Sequence, residues 1–211
     1  MKLTFADKLQ RLVIGIFIFA FFLIGIVTGF TSPAAVFILY ILICYFLSFR
    51  MNLKGFYILL FLAAFIARLI YIFSVNTQPI SDFKYLFDSA VGYANGDYSF
   101  QESIYFKDWA YQTAFVIYEG TIIKIFGAEN AIMVLKILNA LYSAGSCVLI
   151  HFIVKGFVGK RAARFASLLC MGLIFPVTYA AVLSNQPASA FFFLAGLAVL
   201  TQKSKGSGPI S

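Results

Sequence analysis

The chain has 211 residues, of which 62% are hydrophobic and 11% charged, with 26 phenylalanines. Water-soluble domains carry roughly 25% charged residues, so this composition excludes an ordinary soluble domain and fits a chain solvated by lipid. The formal charge of +8 does not indicate a nucleic-acid partner, because the basic residues flank apolar runs and form no interleaved patch.

Lys2, Lys8 and Arg11 precede an apolar run over 12–30. That run exceeds the roughly 7–15 residues of a signal-peptide core and is followed at once by another apolar segment, so it reads as an uncleaved first span. Thr31-Ser32-Pro33 makes a tight turn with Pro near a helix start. A short, uncharged second span over 34–49 follows, then a third over 55–75. About twenty apolar residues are needed to cross the hydrocarbon. Further spans are expected over 131–154, 162–183 and 187–200.

The segment 111–126 is apolar enough for a crossing but short, and it contains Gln112, Glu119 and Lys124. The positive-inside rule decides. If it lies along the outer interface, Lys2, Lys8, Arg11, Arg50, Lys54, Lys155, Lys160, Arg161, Arg164, Lys203 and Lys205 all fall on the cytoplasmic side. If it crosses, the group from Lys155 to Arg164 is pushed outside. The expected fold is therefore an all-α polytopic membrane protein of about six transmembrane helices, with a large outer loop containing interfacial helices. Three parts are expected: a transmembrane hairpin over 1–54, a membrane module over 55–200 with its outer loop at 76–130, and a flexible cytoplasmic tail over 201–211. The N-terminus is placed in the cytoplasm and the chain in the cell membrane.

The outer loop holds Asp82, Asp88, Asp97, Glu102, Asp108, Glu119 and Glu129, all the acids except Asp7. A long extramembrane loop in a tightly connected bundle is more often functional than filler. Asp82 follows Gln78-Pro79-Ile80-Ser81, where Pro79 biases Gln78 away from helix. Two roles are open to it: the N-cap of a new helix, shared with Ser81, and a general base held at the membrane surface. Arg68 lies inside the third span, either facing the bundle interior as a functional group or snorkelling to headgroups. Lys136 is expected to snorkel.

The stretch Tyr105-Phe106-Lys107-Asp108-Trp109-Ala110-Tyr111-Gln112 suits the headgroup layer. It equally suits a sugar or lipid phosphate, with Lys107 on the phosphate and Trp109 or Tyr111 as a stacking face. Asn185 and Gln186, in the outer turn between the last two spans, can share a cavity with Asp82 or face water. His151 reads as a packing histidine, and Cys44, Cys147 and Cys170 as buried apolar side chains without metal-ligand spacing. There is no phosphate-binding glycine loop, HExxH or DxD pair in the sequence.

The order of these parts is similar to a known family. Pro79-Ile80-Ser81-Asp82 is followed by Ala90 and Gly96, then by an aromatic Tyr-Gln helix ending in Lys124-Ile125-Phe126-Gly127. A span then closes on Gly156-Phe157-Val158-Gly159-Lys160-Arg161-Ala162-Ala163. Over about residues 55–200 the chain resembles the N-terminal part of the polytopic GT-C glycosyltransferases, in particular the bacterial lipid-phosphate-sugar family related to protein O-mannosyltransferases. Such enzymes have roughly twice as many spans, so the resemblance is to an N-terminal half. It implies an inverting transfer of a sugar from a polyprenyl-phosphate donor to an acceptor hydroxyl. In that family the acid just past a span in the first outer loop is catalytic, which here is Asp82.

The resemblance sets Lys107 or Arg68 against the departing lipid phosphate, and the residues themselves add Asp108, Trp109, Tyr111, Asn185 and Gln186 as expected substrate contacts. No cofactor is assigned with certainty, and a divalent cation is left open. The implied partners are the polyprenyl-linked sugar, membrane lipid and an acceptor glycan, lipid or protein, with room for a membrane protein partner. Two other classes stay open: a small transporter or lipid-carrier translocase, marked by a continuous polar path through Arg68, Lys136 and His151 and by broken helices, and a non-catalytic membrane subunit.

Overall fold

The computed structural model describes residue 15 and residues 31–206 apart from 52. The expected first span over 12–30 lies, except for Gly15, outside the described residues. Every element among the described residues is helical: α1 (Thr31–Arg50), α2 (Phe56–Ser74), α3 (Ser81–Ala94), α4 (Ile104–Asp108), α5 (Gln112–Phe126), α6 (Ala128–Phe157), α7 (Lys160–Gly172), α8 (Ile174–Thr178) and α9 (Gln186–Gly206), with single 3₁₀ turns at Ser99–Glu102 and Tyr179–Ala181.

Among the described residues two helices, α2 and α6, are long and apolar enough to cross a membrane, and a third span is added if α7 and the segment Ile174–Ala181 count as one broken crossing. At about 1.5 Å per residue, α6 with its 30 residues outruns a hydrocarbon core of about 30 Å. α2 presents Tyr57, Ile58, Leu59, Leu62, Ile66, Ile70 and Phe73 on its exposed side, which suits contact with acyl chains. The segment expected as a span over 162–183 is bent by 54° at a break in its middle. The helix stops at Leu173, whose backbone is extended. Pro176 supplies the local reason: it has no N–H to bond the carbonyl four residues earlier, and its ring crowds that carbonyl. The tail over 201–206, expected to be flexible, continues α9.

The chain divides into two compact units. One comprises Met1–Leu62, Ser146–Leu173 and Leu194–Ser211, the other Ala63–Gly145 and Ile174–Phe193. In the first, α1 packs on α7. The Tyr40 hydroxyl donates to the Leu168 carbonyl, and the Arg164 Nε donates to the Ser48 carbonyl at 2.8 Å. The His151 ring stacks near Phe56, with centroids 5.2 Å apart, as expected for a packing histidine. The thiols of Cys147 and Cys170, far apart in sequence, lie 3.5 Å from each other.

The second unit shows that much of 76–130 is a packed helical module. α3 is amphipathic: Leu86, Phe87 and Ala90 are buried while Asp82, Lys84 and Asp88 are exposed. It ends at Gly96, whose φ of 87° is a left-handed conformation that glycine adopts without cost. α5 turns Phe115, Val116, Gly120 and Ile123 onto the same core as Phe100, Phe106, Ala131, Leu135 and Leu183. Its other side exposes Ile117, Ile125 and Phe126.

Candidate functional site

The segment between α2 and α3 carries Asp82, and its shape follows from sequence and from three pins. Pro79 keeps Gln78 extended. The Thr77 hydroxyl donates to the Ala181 carbonyl at 2.5 Å, and the Lys136 ammonium donates to the Thr77 carbonyl at 2.5 Å. On the same face of α6, Asn139 donates to the Val182 carbonyl at 2.9 Å. One turn further on, Ser143 accepts from the Arg68 Nε at 2.6 Å and donates to the Pro176 carbonyl at 2.9 Å. Positions 136, 139 and 143 thus form a polar stripe at helical spacing that donates to the backbone carbonyls of Thr77, Val182 and Pro176.

The structure corrects the expectations for Lys136 and for the cap of α3, and decides between the two readings of Arg68. Lys136 is 3% exposed and does not snorkel, because a carbonyl is within its reach inside the fold. Arg68 is fully buried and also donates to the Ala64 carbonyl, so it faces the interior and not the headgroups. Neither Ser81 nor Asp82 caps α3: the N-cap residue is Ile80 and no side chain bonds the first-turn amides. Ser81 instead sits at φ 51°, a conformation uncommon for a residue with a side chain. Asp82 occupies the first turn, where the helix dipole favours its charge.

Thr77, Gln78, Pro79, Ile80, Phe83, Lys136, Ala181, Val182 and Leu183 enclose a cavity of about 210 Å³. Its wall is apolar apart from Lys136, Thr77 and Gln78. Asp82 lies between two lining residues, Ile80 and Phe83, and is itself exposed.

An aromatic group also lies within electrostatic reach of Asp82. Tyr85 meets Tyr105 edge-on at 5.1 Å and Phe106 at 6.0 Å, and Trp109 meets Tyr111 edge-on at 6.0 Å. Burial raises the Tyr105 phenol above its ordinary pKa, and the charges of Asp82, Tyr111 and Tyr85 add to the rise. Asp82 is therefore an electrostatic neighbour of the aromatic stretch that the sequence singles out. Trp109 and Tyr111 are 49% and 62% exposed, so their faces are open to a ligand. Asn185 donates to the Gln112 side chain at 3.2 Å, which ties the turn before α9 to the end of the same stretch. Gln186, Lys107 and Asp108 are exposed. Of the residues singled out from sequence, Asp82, Tyr111, Trp109 and Asn185 are thus linked through neighbours, whereas Arg68 is sealed in the interior.

Sequence reasoning missed Lys136 and Tyr85 as parts of this site. The signal for Lys136 was its stripe with Asn139 and Ser143. It also counted Glu119 among the outer-loop acids. In the structure Glu119 is 0% exposed and both its carboxylate oxygens are buried without a hydrogen-bond partner. Burial pushes its pKa up to about 8. Among the described residues no three His, Cys, Asp or Glu side chains gather to hold a metal ion, so no chemical step is routed through one. The chain matches no family model, no curated protein and no solved structure.

Proposed function

We propose that the chain is a multi-pass membrane glycosyltransferase, or the N-terminal part of one, that moves a sugar from a polyprenyl-phosphate donor to an acceptor hydroxyl at the outer membrane face. The observation that carries this reading is the position of Asp82. In the chain it falls between Ile80 and Phe83, which line an apolar cavity with a lysine in its wall, and it is an electrostatic neighbour of Tyr105 in the aromatic stretch. An isoprenoid chain suits the lining of Pro79, Ile80, Phe83, Val182 and Leu183. A sugar suits the faces of Trp109 and Tyr111, whose rings can cover its apolar side.

In this mechanism the Asp82 carboxylate accepts the proton of the acceptor hydroxyl as that oxygen attacks the anomeric carbon. The bond from that carbon to the phosphate oxygen breaks, and the lipid phosphate departs with the electron pair. Inversion follows from attack opposite the leaving group. Lys136, in the cavity wall, and Lys107, on the exposed stretch, supply positive charge where the leaving phosphate develops its negative charge. Arg68 acts indirectly, by holding Ser143 and through it the Pro176 carbonyl.

The test is sugar transfer by the full chain in lipid nanodiscs from a polyprenyl-phosphate-sugar. Asp82→Asn keeps the size of the side chain and removes the base; general-base catalysis contributes roughly 10²–10⁴-fold, and a loss of that order is expected. An Asp82→Asn chain that transfers sugar at the parental rate ends the proposal.

A second reading draws on one specific observation. The helix interrupted at Leu173, with the Pro176 and Val182 carbonyls taken up by α6 side chains, is the kind of broken element that lines substrate paths in transporters. Under that reading Asp82→Asn is silent and substrate accumulates in sealed vesicles.

A further inference from the structure

A second cleft, distinct in its lining from the isoprenoid-sized cavity, borders Tyr85. Tyr85, Asp88, Ser89 and Gly92 of α3 form one wall; Asp97, Ser99, Phe100 and Ser103 form the other, enclosing about 330 Å³. This is at the small end of the roughly 300–1,000 Å³ typical of ligand pockets, room for a sugar-sized ring and not for a lipid chain with its headgroup. The lining combines two aromatic rings, three serine hydroxyls and two carboxylates.

Three features narrow the occupant. The Ser103 hydroxyl oxygen is buried and has no hydrogen-bond partner, a state that costs free energy unless a ligand or water completes it. Asp97 is fixed in place: its Oδ1 accepts the Ser99 backbone N–H at 2.9 Å, and these bonds hold its carboxyl below the ordinary range. Asp88 already pairs with Lys84 at 2.9 Å, which lowers the attraction for a free cation. Two carboxylates repel a phosphate. The set lacks a third acidic, His or Cys donor for a metal ion. A neutral polyhydroxyl ring meets every remaining demand: its hydroxyls donate to Asp97 and Asp88 in charge-assisted bonds, one reaches Ser103, and its apolar face lies on Tyr85 or Phe100.

We propose that this cleft is a saccharide subsite that takes one pyranose ring of the acceptor. The inference rests on the transferase reading and names the acceptor class for it. Tyr85 connects the two places, since its ring lines the cleft and also packs on Tyr105, whose phenol senses Asp82. Tyr85 and Tyr105 thus link the cleft to Asp82, while Lys136 and Lys107, assigned to phosphate release, do not line it.

The experiment uses the full chain in nanodiscs and methyl glycosides of glucose, mannose, galactose and N-acetylglucosamine. Saturation-transfer NMR measures binding, and diazirine-bearing versions of the same glycosides map it. At least one glycoside is expected to bind and to crosslink within residues 85–103. Asp97→Asn and Ser103→Ala should each weaken it by about tenfold, the worth of one well-made hydrogen bond to a charged or buried group. The inference is overturned if no glycoside binds, if crosslinks fall elsewhere, or if both cleft variants bind like the parent. It is equally overturned if spermidine or calcium occupies the cleft and the glycosides do not. The crosslink position keeps the test decisive should a variant fail to fold. Crosslinks outside 85–103 with Asp82-dependent transfer intact remove this inference alone. Crosslinks within 85–103 in a chain whose transfer ignores Asp82→Asn remove the transferase reading.

Discussion

Glu119 is the side chain whose environment departs furthest from what its sequence context suggests. It sits in the middle of α5 between Phe115 and Ile123, all three buried, and no donor reaches its carboxylate. Burial disfavours the charged form, so the folded chain holds the proton up to about pH 8, whereas the unfolded chain releases it near the ordinary glutamate value of about 4.3. The stability tied to this group is therefore complete below about pH 4 and is lost as pH rises towards 8. The loss is on the order of a few kcal/mol. Glu119→Gln imitates the protonated acid at every pH. Its melting temperature in detergent should exceed the parent's at pH 8 and converge with it near pH 4.5. Parallel curves for the two proteins across that range would show that the carboxyl finds a partner in solution. Asp82 is the contrasting residue: a proline, an exposed acid and a following amphipathic helix are local features, and they were readable in the sequence.

At the scale of elements, the close approach of α3 and α5 depends on Gly120. A Cβ at that position would lie 2.5 Å from the Tyr93 ring and 2.9 Å from the Ala90 carbonyl oxygen. The ring can turn, but the carbonyl is backbone and cannot move without shifting α3. Gly120→Ala should therefore destabilise the module by about 1–3 kcal/mol, the usual cost of overpacking, despite alanine's better helix propensity. Thermal unfolding of the variant checks this, and a melting temperature equal to or above the parent's would contradict the packing. α3 and α5 were legible in the sequence, the one from the turn at Pro79 that starts a new helix and the other from the apolar run over 111–126. Their pairing was not, because nothing local says which helix Gly120 faces. The break at Leu173 is similar. Pro176 was visible in the sequence, yet an apolar run with an internal proline is equally compatible with a kinked span, and only the fold shows where the freed carbonyls find their donors.

For the whole molecule, the topology expected from charge alone, with residues 76–130 outside the cell and the basic turn after α6 inside, is open to a direct test. Single cysteines introduced at positions 82, 102 and 160 of a chain with its own three cysteines replaced, probed with a membrane-impermeant maleimide, test it. Positions 82 and 102 should react in intact cells and position 160 only after lysis. Labelling of position 82 only after lysis would reverse the orientation and remove the proposed reaction from the outer face.

Composition and periodicity alone determined that this chain is built of apolar helices, where most of them begin and end, and which loop gathers acids and aromatics. Those properties follow from local backbone preference and from the length a bilayer demands. Only the tertiary structure decided that Lys136 and Arg68 point inward, that Glu119 is sealed in an apolar core, and that Tyr85 borders both Asp82's neighbours and a separate polar cleft. A long cation or a carboxylate reads alike in sequence whether it reaches water or a buried carbonyl, and the difference is made by partners 43–75 residues away along the chain.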